Sequence, residues 1–135
     1  MMARIRAKDT KPEMFVRRAL HAAGYRYSLH SRKLPGRPDL VMRKHRAVVF
    51  VHGCFWHGHD CRYFRLPGTR TEFWAAKIEA NRARDARAVS ELLEAGWRVA
   101  VVWECIQRNR EWTADDVAAA VSSWLEGSEQ MLELS

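Results

Sequence analysis

Apolar and polar positions along this chain repeat with two periods, and the switches between them mark the elements. After Thr10-Lys11-Pro12-Glu13, which has the form of a capping box with proline early in the first turn, Phe15, Val16, Ala19, Leu20 and Ala23 recur at helical spacing until Gly24. Tyr25, Tyr27 and Leu29 then alternate as a half-buried strand does. Pro35-Gly36-Arg37-Pro38 reads as a turn, Asp39-Leu40-Val41-Met42 as a second strand, and Ala47-Val48-Val49-Phe50-Val51 as a central strand buried on both faces.

Residues 52–67 form an irregular insert rich in histidine, cysteine and aromatics. A helical pattern runs from about Thr71 to Ala95 and stops at Gly96. Trp74, Ile78, Asn81 and Asp85 share one face of it and Val89, Leu92 and Leu93 pack lower down, so a kink or break is expected near Asn81. Trp97 to Trp103 reads as a fourth strand, and Thr113-Ala114-Asp115-Asp116 caps a last helix bearing Val117, Val121, Trp124 and Leu125. The predicted order is α-β-β-β-α-β-α, an antiparallel meander with a helical crossover to the fourth strand, in an α/β fold. A flexible basic arm is expected over residues 1–9 and a frayed tail over 128–135.

The length, 135 residues, is that of one domain, and 47% hydrophobic with 29% charged residues excludes both a disordered tail and a membrane protein. No apolar run approaches the roughly 20 residues of a spanning helix. The start lacks the apolar stretch of a signal peptide, which predicts a cytoplasmic location. Charge sharpens the picture because it is uneven. Residues 1–46 carry thirteen Lys or Arg against three acids, a balance of +10, whereas the remainder carries ten basic and thirteen acidic side chains, a balance of −3. A polyanion meeting the basic third would release counterions at each phosphate contact; an ordinary solvated basic face is the competing account.

Three cysteines, Cys54, Cys61 and Cys105, do not suit a disulfide framework. Cys54-x4-His59-x-Cys61 places three soft ligands within eight residues, and Cys105 follows a strand end. Four such donors suit a closed, tetrahedral, structural zinc, which would substitute for the core that the insert lacks. His52 and His57 compete as ligands on spacing alone. Buried cysteines with His59 on the surface are the plain alternative.

Asp39, where a turn enters a strand, is placed to hold Mg2+, an ion that keeps several waters and takes few protein ligands. His52 and His57 follow the neighbouring strand and Glu13 lies in the first turn of the first helix. Together they form a set for metal-assisted phosphodiester hydrolysis, with Asp39 on the metal and a histidine taking the proton from water. Local sequence also accounts for Glu13 by its capping box and for His52 as a hydrogen-bonded histidine. Phe55, Trp56 and Trp74 form either a wedge that enters a base stack or packing for the insert, whereas Trp97, Trp103 and Trp124 read as core.

Four strings then act together: Leu34-Pro35-Gly36-Arg37-Pro38-Asp39, His52-Gly53-Cys54-Phe55-Trp56-His57, Thr69-Arg70-Thr71-Glu72-Phe73-Trp74, and Gly96-Trp97-Arg98 with Val102-Trp103-Glu104-Cys105. They closely resemble the very-short-patch repair (Vsr) mismatch endonucleases, from about Met2 to Glu111. The resemblance implies a restriction-endonuclease-like core of the PD-(D/E)XK type, a central mixed sheet flanked by helices, with a zinc-bound insert. It implies a Mg2+-dependent nick on the 5′ side of the thymine in a T·G mismatch, as arises when 5-methylcytosine deaminates.

Carried over by motif, Asp39 is the metal carboxylate, His57 the general base, and His52 and Glu13 assist through metal-bound water. Cys54, His59, Cys61 and Cys105 match the structural zinc ligands. Phe55, Trp56 and Trp74 match the intercalating aromatics. Met2, Arg4, Arg6 and Lys8 in the basic arm, with Arg37 and Arg70, would contact DNA. Two departures stand out. The superfamily's usual acid and lysine after the third strand are replaced by Val51 and His52, and Val51 occupies a position where the family often has threonine. The metal contact there is a backbone carbonyl, which Val51 still offers.

The expected activity is therefore mismatch-specific DNA nicking by a single, monomeric endonuclease domain over residues 1–135. Expected partners are duplex DNA with a T·G mismatch, a cytosine-5 methyltransferase and mismatch-repair or polymerase proteins, with no membrane. The alternatives are a restriction-like endonuclease acting on paired DNA and a zinc-stabilised DNA-binding module without catalysis. Retention of both Asp39 and His57 argues against the latter, since binding alone requires neither.

Overall fold

The structure, a computed structural model, describes residues 9–109 and 111–135. The arm expected over residues 1–9 lies, but for Asp9, outside them, and so do Met2, Arg4, Arg6 and Lys8. The elements are α1 (Lys11–Ala22), β1 (Ser28–Leu29), β2 (Leu40–Met42), β3 (Ala47–His52), α2 (Thr71–Glu94), β4 (Arg98–Trp103), α3 (Glu104–Asn109), α4 (Ala114–Glu126) and β5 (Met131–Leu134).

The strands form one mixed sheet in the order β1-β2-β3-β4-β5. β1, β2 and β3 pair antiparallel; β3–β4 and β4–β5 pair parallel, with Ala47 opposite Arg98 and Val99 opposite Met131. Both faces of the central strands are covered, which explains why they read as continuous apolar runs. Leu40, Met42, Ala47, Val49, Ala100 and Val102 face α1 and α4, where they meet Val16, Leu20, Val117, Val121 and Trp124. Val41, Val48, Phe50, Val99 and Val101 face the other way, against Leu92 of α2 and Trp97. The result is a three-layer α/β/α sandwich.

Four local readings change. The tail expected to fray over 128–135 holds β5, because Leu134 is buried and Leu132 packs on the core while the backbone completes the open edge of β4. The first strand shrinks to Ser28–Leu29, since Tyr25 and Tyr27 are drawn into tertiary contacts instead: Tyr25 Oη pairs with Ser122 Oγ at 2.6 Å, and Tyr27 donates to the Arg17 carbonyl at 3.0 Å. α2 runs as one helix through Asn81, whose side chain points to the insert rather than marking a break. The box at Thr10 is half formed. Thr10 Oγ1 accepts the Glu13 N–H, but the Glu13 carboxylate reaches past the cap to the Asp9 N–H and to His30. The full reciprocal box occurs at Thr113 and Asp116 instead.

Candidate active site and metal-binding cluster

Glu13 from the first turn of α1, Asp39 before β2, and Val51 near the end of β3 line one cleft of about 910 Å³ with Phe55, Trp56 and His57 of the insert. Register brings Asp39 beside β3: its Oδ2 accepts the Val51 N–H at 2.7 Å, which leaves the second carboxylate oxygen without a hydrogen bond among the described residues. Burial, reinforced by the negative charge of Glu13, pushes the Asp39 carboxyl up from 3.8 to about 6, against the lowering effect of the Val51 bond. Two carboxyl groups thus face one cleft that Lys11 and Arg108 also line, and Arg17 approaches Glu13 at 3.5 Å. A pair of carboxylates is a donor type that suits a hard divalent cation.

His57 is held from behind. Its Nδ1 lies 2.5 Å from Asp85 Oδ2, and its ring stacks on His52 with centroids 3.8 Å apart. His52 does not line the cleft. It sits beyond His57 against Phe50 and Trp103, beside a separate hollow of about 570 Å³. It is 7% exposed, its Nδ1 has no partner among the described residues, and burial drives its pKa down to about 3, so the ring is neutral.

Side chains of α2 that local pattern had not assigned a role grip three successive residues of the insert. Asn81 donates to the Trp56 carbonyl at 2.8 Å, Asp85 meets His57, and Arg82 donates twice to the Gly58 carbonyl. The only advance signal was their one-turn spacing on the helix. His30, which pairs with Glu13, carried none.

Cys54, His59, Cys61 and Cys105 converge at the far side of the insert, with their ligand atoms all within 4.8 Å of one another. Cys54 Sγ and Cys105 Sγ lie 3.5 and 3.7 Å from His59 Nδ1. Tetrahedral zinc with bonds of about 2.0–2.3 Å separates its ligands by roughly 3.5–3.8 Å, so the donor set fits a tetrahedral metal ion. Burial pushes the Cys54 and Cys105 thiols up and lowers His59, as expected of ligands gathered without a cation. His59 also stacks on Trp103 at 4.1 Å, and Glu104 Oε1 accepts the Cys54 N–H at 3.1 Å. His57 stands apart from this cluster.

Phe55, Trp56 and Trp74 meet edge to face at 5.1–5.9 Å, all three half-buried, with Phe55 and Trp56 lining the cleft. Arg70, at the start of α2, is exposed and lies over the exposed Phe73 ring at 4.2 Å; Arg37 is exposed on the turn before Asp39. Among the described residues, no helix is long and apolar enough to cross a membrane.

Comparison with known proteins places the chain in a family. The family model described as DNA mismatch endonuclease Vsr matches residues 1–63. The chain is 56% identical to the type II nicking enzyme V.XorIIP of Xanthomonas oryzae over 78% of this chain and 77% of that one. It is 44% identical to the DNA mismatch endonuclease Vsr of Escherichia coli over 93% and 81% respectively. The type II nicking enzyme V.NmeAIP of Neisseria meningitidis is also 44% identical, over 82% and 79%.

Proposed function

This chain belongs to the Vsr family of DNA mismatch endonucleases and is a DNA endonuclease, and from that we propose that it nicks one strand on the 5′ side of the thymine in a T·G mismatch, with Mg2+ at Asp39. The reading treats residues 1–135 as one monomeric endonuclease domain with a restriction-endonuclease-like core. The observation that carries it is the convergence of Glu13, Asp39, Val51 and His57 on one cleft whose mouth holds Phe55 and Trp56.

Asp39 and the Val51 carbonyl would hold the cation, and Glu13 would orient water beside them. When bound, Mg2+ neutralises charge on the phosphate and its leaving oxygen. His57 takes the proton of the attacking water. Because its Nδ1 is engaged by Asp85, the transfer runs through Nε2. His52 serves as the neutral floor under His57. Phe55, Trp56 and Trp74 enter the stack beside the mismatch, where a T·G pair is cheaper to part than a Watson–Crick pair. Met2, Arg4, Arg6, Lys8, Arg37 and Arg70 hold the phosphate backbone. Zn2+ on Cys54, His59, Cys61 and Cys105 cross-links the insert to the end of β4 and so fixes the aromatic wedge. A cytosine-5 methyltransferase that creates the damaged site, and mismatch-repair or polymerase proteins that refill the nick, are the partners this activity requires, in the cytoplasm of the cell.

The test is a duplex pool carrying one T·G mismatch in varied flanking sequence, with T·A and C·G controls, with and without Mg2+. A nick at the mismatch alone and with Mg2+ alone is expected. Equal cutting of the controls would make the protein a restriction-like enzyme on paired DNA; tight binding without cutting would make it a binding module.

A further inference from the structure

The two acids of the cleft come from different layers of the fold, Glu13 from helix α1 and Asp39 from the sheet, and one residue outside the cleft is bonded to both. His30 directly follows β1. Its backbone N–H donates to the Asp39 carbonyl at 3.0 Å, and its Nε2 lies 2.6 Å from Glu13 Oε2. Among the described residues, no other makes a hydrogen bond to each of them outside the regular helix and sheet ladders.

To do so His30 adopts a φ of 47°, the left-handed backbone that is uncommon outside glycine. Strain of this kind persists only where the surroundings over-determine it, and it clusters at active sites. Glu13 is 1% exposed, and a glutamate has three free torsions to be fixed in that confined space. The Asp9 N–H fixes one of its oxygens at 3.1 Å. The other is held by His30, with Arg17 more distant at 3.5 Å.

We propose that His30 is a positioning residue of the nicking centre, setting the Glu13 carboxylate against Asp39 so that both address one cation and its water. The inference rests on the roles given above to Glu13 and Asp39. Mg2+ demands near-ideal octahedral geometry at about 2.0–2.1 Å, and an error of about 1 Å in a positioning group costs about 100-fold in rate. A carboxylate on a helix that moves independently of the sheet does not meet that tolerance. One residue bonded to both does, because His30 is anchored to the Asp39 carbonyl through its backbone N–H and to Glu13 through its ring.

The experiment compares wild type, His30→Ala, His30→Asn, His30→Gln, Glu13→Gln and the His30→Asn/Glu13→Gln double variant. Asparagine accepts the left-handed backbone but is too short to reach Glu13, so it separates the side-chain bond from strain and survives if the alanine variant fails to fold. Three quantities are read: the single-turnover nicking rate on a T·G duplex, the affinity for that duplex, and Mg2+ affinity by calorimetry on protein bound to a duplex with a non-hydrolysable linkage at the nick position.

His30→Asn is expected to slow nicking about 10- to 100-fold and weaken Mg2+ binding about tenfold, with duplex affinity within about twofold of wild type. His30→Gln regains part of the rate, and the double variant is no slower than Glu13→Gln, because the two residues act through one bond. Full rate and Mg2+ affinity in His30→Asn overturn the proposal, as do additive losses in the double variant. Wild-type rate in Glu13→Gln, or no Mg2+ binding by the wild type, overturns instead the roles on which it rests.

Discussion

The Nδ1 of His57 and the Oδ2 of Asp85 stand 2.5 Å apart, although 28 positions separate them in the chain. One belongs to an irregular insert with no regular hydrogen-bond ladder of its own, the other to a 24-residue helix. The helix thereby sets the orientation and tautomer of a ring that loop backbone alone would leave free to turn. Asn81 and Arg82, holding the carbonyls on either side of it, complete the grip.

Asp85→Asn keeps the shape but offers an amide that can turn its N–H₂ toward His57, favouring the wrong tautomer. Nicking at saturating DNA is expected to fall at least about tenfold, with T·G duplex affinity within about twofold. A rate equal to wild type in single-turnover assays would remove Asp85 from the mechanism.

Asp39→Asn is expected to abolish nicking while making the metal-free protein more stable at neutral pH. Folding raises the Asp39 carboxyl from 3.8 to about 6, so the folded state disfavours its charged form. The cost is absent below about pH 4, where the group is protonated folded or unfolded, and complete above about pH 6 to 7, where it reaches up to about 3 kcal/mol. Denaturant melts of both proteins in chelator should therefore coincide near pH 4 and diverge at pH 7, with the variant the more stable. Equal stability at pH 7 would contradict this account.

Cys105→Ser removes the one ligand of the Cys/His cluster that lies outside the insert. Purified protein should hold zinc in about one equivalent and the variant far less. The variant should also melt several degrees lower, as should wild type treated with a strong chelator. Metal analysis and thermal melting decide it; a metal-free wild type with an unchanged melt would return the three cysteines to ordinary packing.

Gly58 has a φ of 63°, and a Cβ there would overlap Arg82 Nε and stand 2.6 Å from Ile78 Cγ2. Gly58→Ala should destabilise by about 1–3 kcal/mol and slow nicking, because the residue lies between His57 and His59. Chemical denaturation and nicking assays measure the two effects.

Trp56→Ala should leave binding to paired DNA nearly unchanged and reduce the preference for a T·G duplex over T·A by about tenfold, the worth of roughly one stacking contact. Competition binding with the two duplexes measures it, and an unchanged preference would reduce Phe55, Trp56 and Trp74 to packing for the insert.

Local pattern located most of the scaffold. The apolar spacing from Phe15 to Leu20, the unbroken Ala47–Val51 run and the Thr113 box each encode their element through near neighbours, and each element is present. The dense Cys/His spacing of the insert likewise marked its metal-binding potential. Pattern failed where a partner lay far along the chain. Tyr25 and Tyr27 alternate like strand residues but bond to Ser122 and Arg17, and the tail residues Met131–Leu134 become a strand only because β4 presents an open edge. His30 gave no sign of a site role for the same reason, and Asp85 gave only its one-turn spacing from Asn81.

Periodicity records which face of an element is apolar, and close motifs record which chemistry is available, so the residues themselves carried the layered α/β architecture, the endonuclease family and the donor types. Whether Asp39 meets Val51, Glu13 meets His30, or His57 meets Asp85 depends on strand register and on where helices cross the sheet. Those are set by packing of the whole core, in which a hydrogen bond forms only when two distant backbones are brought to within about 3 Å.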